Sequence, residues 1–307
     1  MRAVVVLATH NPQPELFARQ VQSLRSQTVE DWHCLVFDDF SADRQAVAGI
    51  CDQDPRFTLL GPHDRQIGHN MAFQILLMGA RDYDAPVFLC DQDDTWSPKK
   101  MDLLLAQIDS GATAAFSAMR VVDPDGNTIR ERFLPRDPDA EWLRPENLLR
   151  MNCVSGTSMV LSAQTVRTAL PFPAANLRGW HDQWLAAVAA RTGDLVYVDE
   201  ALTDYTQHDA QFMGDGLRAV NWRRLRKFAT DKRSVRLLLE DLRSRTGWIS
   251  GAAARLLDLS DESDPGLEDL ARGRFSRHKA QWLLDGVRNG DVPVYRAALL
   301  AAGFAVS

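Results

Sequence analysis

The chain has no apolar run approaching the roughly 18 residues that a membrane-spanning helix needs, so no spanning segment is expected. Its four cysteines, Cys34, Cys51, Cys90 and Cys153, are scattered and include no Cys-x-x-Cys pair, which removes the usual redox and zinc signatures. Cys34 and Cys90 fall inside strand-like runs, where a reduced thiol acts as a small hydrophobe, as expected of a cytoplasmic protein. The first apolar run is brief, lacks a cleavage-site pattern and ends in polar residues, so a first strand is expected there and not a signal peptide. The loop after that strand, Thr9-His10-Asn11-Pro12-Gln13, is not the Gly-rich, basic phosphate loop of a nucleotidyltransferase. Internal repeats, low-complexity segments and nucleic-acid-binding motifs are also missing, and the chain as a whole is acidic, at net −6.

That charge is uneven. Residues 217–307 hold 17 basic against 11 acidic residues, a net +6, which leaves −12 for residues 1–216. Such asymmetry between halves points to a tail that faces something anionic. With 307 residues, 45% of them hydrophobic, the chain can bury a substantial core.

Short apolar runs at residues 4–8, 32–37, 57–60, 87–90 and 114–119 read as strands. Helical spacing lies between them, at about 16–25, 44–51, 71–79 and 98–108. Strands alternating with helices predict an α/β fold with a mostly parallel sheet, whose ligands lie outside the carboxyl ends of the strands. Three such ends are polar: Thr9 to Asn11, Asp38-Asp39 and Asp91 to Asp94. After residue 120 the pattern changes. The Asp123-Pro124-Asp125-Gly126-Asn127 turn joins two strands, short strands recur at 158–161 and 195–198, an Ala-rich helix runs to about 191, and only helices come after residue 217.

The pivotal stretch is Asp91-Gln92-Asp93-Asp94, three carboxylates within four residues at the exit of a buried strand. Carboxylates this close repel one another unless a cation or a donor-rich ligand offsets them. Mg2+ is usually held by one or two carboxylates plus substrate phosphates, so an Asp-x-Asp here can seat a metal-bound diphosphate. The plainer reading is an acidic loop with Thr95 or Ser97 capping the next helix.

Taken in order, the first strand ending Ala8-Thr9-His10-Asn11, the Val36-Phe37-Asp38-Asp39-Phe40-Ser41 strand end, Gly68-His69-Asn70, the Asp91 to Asp94 cluster and His181-Asp182-Gln183-Trp184 resemble a family-2 glycosyltransferase of the GT-A fold. The Asp-Gln-Asp-Asp-x-Trp and His-Asp-x-Trp forms are most similar to the bacterial rhamnosyltransferase-like branch, which builds cell-surface polysaccharide. Phe40 stands where the family usually has Gly, and His69 where a small or basic residue is common. The resemblance covers roughly residues 1–210. It implies a catalytic domain at 1–212, with a nucleotide-sugar half (1–120) and an acceptor half (121–212), and then a helical region at 213–307.

That resemblance implies an inverting transfer from a dTDP- or UDP-sugar, dTDP-rhamnose among them, to a glycan or lipid-linked hydroxyl, with Mg2+ or Mn2+ at the leaving diphosphate. Thr9, Asp38, Asp39, Gly68, Asp91, Gln92 and Asp93 are then donor residues. Asp93 ligates the metal with His208, and Asp91 sits near the ribose or a metal-bound water. Asp182 is the general base, taking the acceptor proton as the bond forms. Trp96, Gly156, His181 and Trp184 line the sugar and acceptor pocket. Each residue also has a structural reading: an Asx-turn for Asp38, a helix cap for Asp182, core packing for the tryptophans, a plain turn for Gly156, and an ordinary surface or packed histidine for His208. The basic stretch at 223–236 (Arg223, Arg224, Arg226, Lys227, Lys232, Arg233, Arg236) is either a solvated helix face, a peripheral dock for an anionic membrane, or a partner or dimer contact. A nucleotidyltransferase and a catalytically inactive sugar- or partner-binding relative are the alternative functions.

Overall fold

A computed structural model describes residues 1–173, 179–208, 232–273, 276–288, 300–301 and 304–305. Its strands are β1 (Ala3–Thr9), β2 (Trp32–Asp38), β3 (Phe57–Leu59), β4 (Val87–Cys90), β5 (Thr95–Trp96), β6 (Ala114–Val122), β7 (Thr128–Arg130), β8 (Met159–Leu161) and β9 (Leu195–Thr206). The longer helices are α1 (Pro14–Arg25), α2 (Arg44–Cys51), α3 (His69–Ala80), α4 (Lys100–Asp109), α5 (Pro145–Arg150), α6 (Ala163–Ala169), α7 (His181–Thr192), α8 (Lys232–Leu257), α9 (Pro265–Ala271) and α10 (Arg277–Arg288).

All the strands join one sheet in the order β3-β2-β1-β4-β8-β6-β9-β5, with β7 hydrogen-bonded to β6. The strands β3, β2, β1 and β4 run parallel, as do β6 and β9, whereas β8 is antiparallel to both its neighbours. β1 is apolar throughout because it is central and covered on both faces. Its side chains alternate: Val4 and Val6 join a core under α3, α7 and α8, while Ala3, Val5 and Leu7 join a second core under α1, α2 and α4. β4 divides in the same way, with Val87 and Leu89 on the first face and Phe88 and Cys90 on the second. Register places the site. Thr9 pairs with Asp38 and Leu7 with Cys90, so the polar ends of β1, β2 and β4 finish at one edge.

α8 and α9 are part of the first core, through Trp248, Ile249, Leu256, Leu267 and Leu270. The expected domain boundary at residue 212, and most of the basic stretch at 223–236, lie outside the described residues. β6 passes straight through the expected junction of the two halves at residues 120 and 121. No described helix is long and apolar enough to cross a membrane.

Two elements differ from the sequence expectation. β9 runs to Thr206 and does not stop at Val198: Asp199 and Glu200 bulge from the ladder, and pairing with β6 resumes at Ala201 opposite Ala118. That interrupts the apolar alternation from which strands are read. The short β5 follows directly on the acidic cluster and pairs with β9, so Thr95 lies at a sheet edge, and neither it nor Ser97 caps α4, whose N-cap is Lys99.

Candidate active site

The three polar strand ends and the start of α7 surround one cavity of about 590 Å³. Thr9, Asp39, Gly68, Asp91, Gln92, Asp93, Gly156, His181, Asp182 and His208 all line it.

The nucleotide-side rim is tied together by its own side chains. Gln92 Oε1 accepts from Thr9 Oγ1 and from the His10 amide, both at 2.8 Å, which locks the end of β1 to the end of β4. Asp39 accepts from the amides of Ile67 and Gly68 at 2.7 and 2.8 Å, and so holds the loop that enters α3. Gly68 has φ +85°, a conformation that glycine adopts without a Cβ penalty.

On the acidic rim, His208 Nε2 lies 2.7 Å from Asp93 Oδ2, although 115 residues separate them in sequence. Asp91 is raised to about 7 by burial and by the neighbouring Asp93 and Asp182 charges. Behind it, Asp94 is fully buried and accepts from the Thr206 amide at 3.1 Å; burial and the adjacent carboxylates push its pKa well above the ordinary range.

Asp182 stands in the first turn of α7, where Asn70 of α3 accepts from the His181 amide at 2.9 Å and substitutes for the missing cap. Burial raises Asp182 to about 6, and the amides of Gln183 and Gly156 pull it back. A carboxyl tuned towards neutrality, at the wall of a cavity that also holds a second acidic cluster, suits proton abstraction from a hydroxyl. Beside it, the His181 ring stacks on Phe73 at 4.0 Å between centroids and is held neutral by burial.

The fold and the cavity agree with the family comparison. The chain matches the model of glycosyl transferase family 2 over residues 4–164, more than half of its length. The chain belongs to glycosyl transferase family 2. Among solved structures it is similar to TarS of S. aureus, with TM-score 0.59 and 14% identity, covering 98% of this chain and 50% of TarS. Residues 1–349 of TarS in complex with UDP-GlcNAc superimpose with TM-score 0.57 and 14% identity, over 98% of this chain and 90% of that one. The mannosyltransferase PcManGT of Pyrobaculum calidifontis, in complex with GDP-Man and Mn2+, gives TM-score 0.50 and 17% identity over 98% and 85%. The chain thus spans about half of the longer TarS structure, and identities this low carry the GT-A fold alone. No curated protein matches the chain.

Three residues expected in the pocket do not line it. Asp38 is buried and turned into its own loop, accepting from the Ser41 hydroxyl and amide and pairing with Arg44 at 3.4 Å. Trp96 packs in the second core against Phe88, with Lys100 Nζ 3.5 Å from its ring centre. Trp184 is buried in the first core, and its indole donates to the Ala169 carbonyl at 2.8 Å. Both tryptophans sit on helix or strand faces directed inward, so packing takes the rings that sugar stacking would need.

Other residues at the site carry no clear motif. Lys100 is buried under the acidic loop and donates to the Thr157 carbonyl and to Thr203 Oγ1, the latter at 2.9 Å. Its one sequence signal is helical spacing: Lys100 stands four positions before Leu104, on the face that also carries Met101 and Leu105. Arg150 and Arg245 also line the cavity, and neither belongs to a recognisable pattern.

The donor set at the acidic rim fits a hard divalent ion. No cluster of three or more His, Cys, Asp or Glu ligands is assembled among the described residues. A carboxylate and an imidazole within hydrogen-bonding distance offer two ligands that substrate phosphates would complete, and a bound cation would favour the ionised form of Asp91 beside them, which burial and the Asp93 and Asp182 charges otherwise raise to about 7.

Proposed function

We propose that the protein transfers a glycosyl group from a nucleotide-diphosphate sugar to an acceptor hydroxyl with inversion at the anomeric carbon. The observation that carries this reading is the common cavity that joins Asp182 to Asp93 and His208. In this reading Thr9, Asp39, Gly68 and Gln92 form the nucleotide end. Asp93 and His208, with Asp91 alongside, hold Mg2+ or Mn2+, which when bound supplies positive charge to the departing diphosphate. Asp182 hydrogen-bonds the acceptor hydroxyl and takes its proton as the oxygen attacks from the face opposite the leaving group. Gly156 and His181 border that position. The amides of Gly156 and Gln183 keep the Asp182 carboxylate oriented before the acceptor arrives.

The donors named for the similar structures, UDP-GlcNAc and GDP-Man, join dTDP-rhamnose, which the His-Asp-x-Trp form favours, in a donor panel. Release of nucleotide diphosphate in the presence of Mn2+ identifies the donor. Asp182→Asn should abolish transfer and leave nucleotide binding intact; full activity in that variant would remove Asp182 from the role of base. In this reading residues 1–212 form the catalytic domain and the basic stretch at 223–236 docks on an anionic membrane surface that presents a lipid-linked acceptor for cell-surface polysaccharide. Vesicle co-sedimentation with and without phosphatidylserine tests that part.

A further inference from the structure

The loop after β1 sends one side chain to the histidine of the acidic rim. Gln13 Nε2 lies 3.4 Å from His208 Nδ1, although 195 residues separate them, while the other ring nitrogen, Nε2, lies 2.7 Å from Asp93 Oδ2. Gln13 is the N-cap of α1, yet its side chain makes no capping hydrogen bond and lines the cavity instead. Both ends of this contact are anchored. The Gln13 carbonyl accepts from the Phe17 amide at 3.0 Å, and Pro14 opens the first turn of α1. Further along α1, Arg19 donates to Thr206 Oγ1 at 3.0 Å and to the Pro124 carbonyl at 2.7 Å, which ties the helix to the end of β9, two residues before His208. The Gln207 amide then donates to the Val122 carbonyl at 2.8 Å.

An imidazole binds a metal through a ring nitrogen that carries no proton, and the hydrogen bond made by the other nitrogen selects which one that is. A carboxylate only accepts, so beside Asp93 the ring carries its proton on Nε2, and Nδ1 accepts from the Gln13 amide. Ligation through Nε2 requires the other tautomer, with the proton on Nδ1 and an acceptor facing it. A glutamine serves both states. Its NH2 group donates to Nδ1 in the first, and a half-turn of its terminal torsion brings Oε1 to accept from Nδ1–H in the second. The ring gives up one proton and regains one, so its charge does not change.

We propose that Gln13 is a positioning residue for a divalent cation at this rim: it holds the His208 ring in place and accepts its Nδ1 proton when Nε2 turns to the metal. The proposal rests on the reading of Asp93 and His208 as metal ligands. It is tested by titrating the full chain with Mn2+, in the presence and absence of UDP, and following the free ion by electron paramagnetic resonance; UDP binding without metal is measured alongside. Gln13→Ala should weaken Mn2+ binding about tenfold, within the roughly 10–100-fold that loss of a partner behind a metal-ligating histidine costs, and leave metal-free UDP binding unchanged. Gln13→Glu keeps the acceptor and should bind Mn2+ at least as tightly as the parent. Gln13 is exposed, so both variants should melt as the parent does. His208→Ala is the reference. If it loses Mn2+ affinity and Gln13→Ala does not, the proposal is overturned and the metal reading stands; if His208→Ala binds Mn2+ as the parent does, the metal reading falls and the proposal with it. Equal weakening in Gln13→Ala and Gln13→Glu would overturn the proposal, as would loss of metal-free UDP binding in Gln13→Ala, which would assign the amide to the nucleotide.

Discussion

Gly156→Ala probes the join between Asp182, the proposed base, and the cavity wall. A Cβ built at Gly156 would lie 2.9 Å from His181 Nε2 and 3.6 Å from both the Asp182 Cβ and Leu89 Cδ2. The last two are ordinary contacts; the first is not. The imidazole has little room to retreat, since it stacks on Phe73 with 4.0 Å between ring centroids and an interplanar angle of 14°. Either the ring or the turn at Gly156–Ser158 must move, and each carries part of the Asp182 environment. Overpacking of this kind costs about 1–3 kcal/mol. For a chain of this length that corresponds to a fall in melting temperature of roughly 2–6 °C. Displacing the base by an ångström is worth about a hundredfold in rate. The assay is nucleotide diphosphate release under saturating donor and metal, with donor affinity measured separately by calorimetry. The expected result is a large loss of kcat with nearly unchanged donor affinity. Gly49→Ala in α2, where nothing lies within 4 Å of the added carbon, is the control and should gain about 0.5–1 kcal/mol from helix propensity. A Gly156→Ala enzyme with the rate and melting temperature of the parent would refute the reasoning, because the base could not then sit against that turn.

Buried charge and backbone shape lead to three more outcomes. Asp182 titrates at about 6 in the fold against an ordinary 3.8, so the native protein loses stability as pH rises between those values; Asp182→Asn should therefore gain on the parent across that window, by at most about 3 kcal/mol and by less given partial exposure, while transfer by the parent rises with pH through about 6. Lys100→Met should lower the melting temperature by roughly 2–6 °C, since it leaves the Thr157 carbonyl and the Thr203 hydroxyl buried without their donor at a cost of about 1–3 kcal/mol; a melting temperature equal to the parent's would mean that those two hydrogen bonds carry no net stability. Phe40 is exposed at φ +65°, so Phe40→Gly should exchange a left-handed cost of about 1–2 kcal/mol for about 0.5–1 kcal/mol of chain entropy, a small net gain readable by urea unfolding.

Phe40 also shows how a departure from a family pattern becomes legible only in three dimensions. The residue type says nothing of φ; the backbone at the end of β2 takes the left-handed conformation that favours glycine, with Phe40 in that position. By contrast, the strand ends at Thr9, Asp39 and Asp91 can be read directly, because parallel strands leave their polar termini on one edge and the interiors of β1 and β4 are apolar. Trp96 and Trp184 mislead for a related reason. An aromatic beside an acidic motif resembles a sugar platform, but the side-chain direction that sends Asp93 and Asp182 to the cavity sends these neighbours into the two cores. The Arg245–Gln183 contact spans 62 residues, and no local pattern encodes it. β9 is half visible, since its apolar beginning is regular and its bulge is not.

Lys100 and the acidic loop belong to one electrostatic argument. Three carboxylates leave β4 within four residues, and the protein places a single buried ammonium behind them, itself lowered to about 7 by burial. Burial first, and then the adjacent carboxylate charges, raise Asp91 to about 7 and push Asp94 well above the ordinary carboxylate range, with Lys100 opposing the shift at Asp91. The hydrogen bonds of Lys100 run to Thr157, next to the turn that faces Asp182, and to Thr203, in the strand that leads to His208. The same side chain therefore supports both ends of the site and leaves a residual negative field at the rim. In the proposed reading, a divalent ion brought with a diphosphate would relieve that field, and its binding to the native state would stabilise the fold. On that reading, affinity for metal and affinity for nucleotide diphosphate should rise together, and independent binding of the two would count against it.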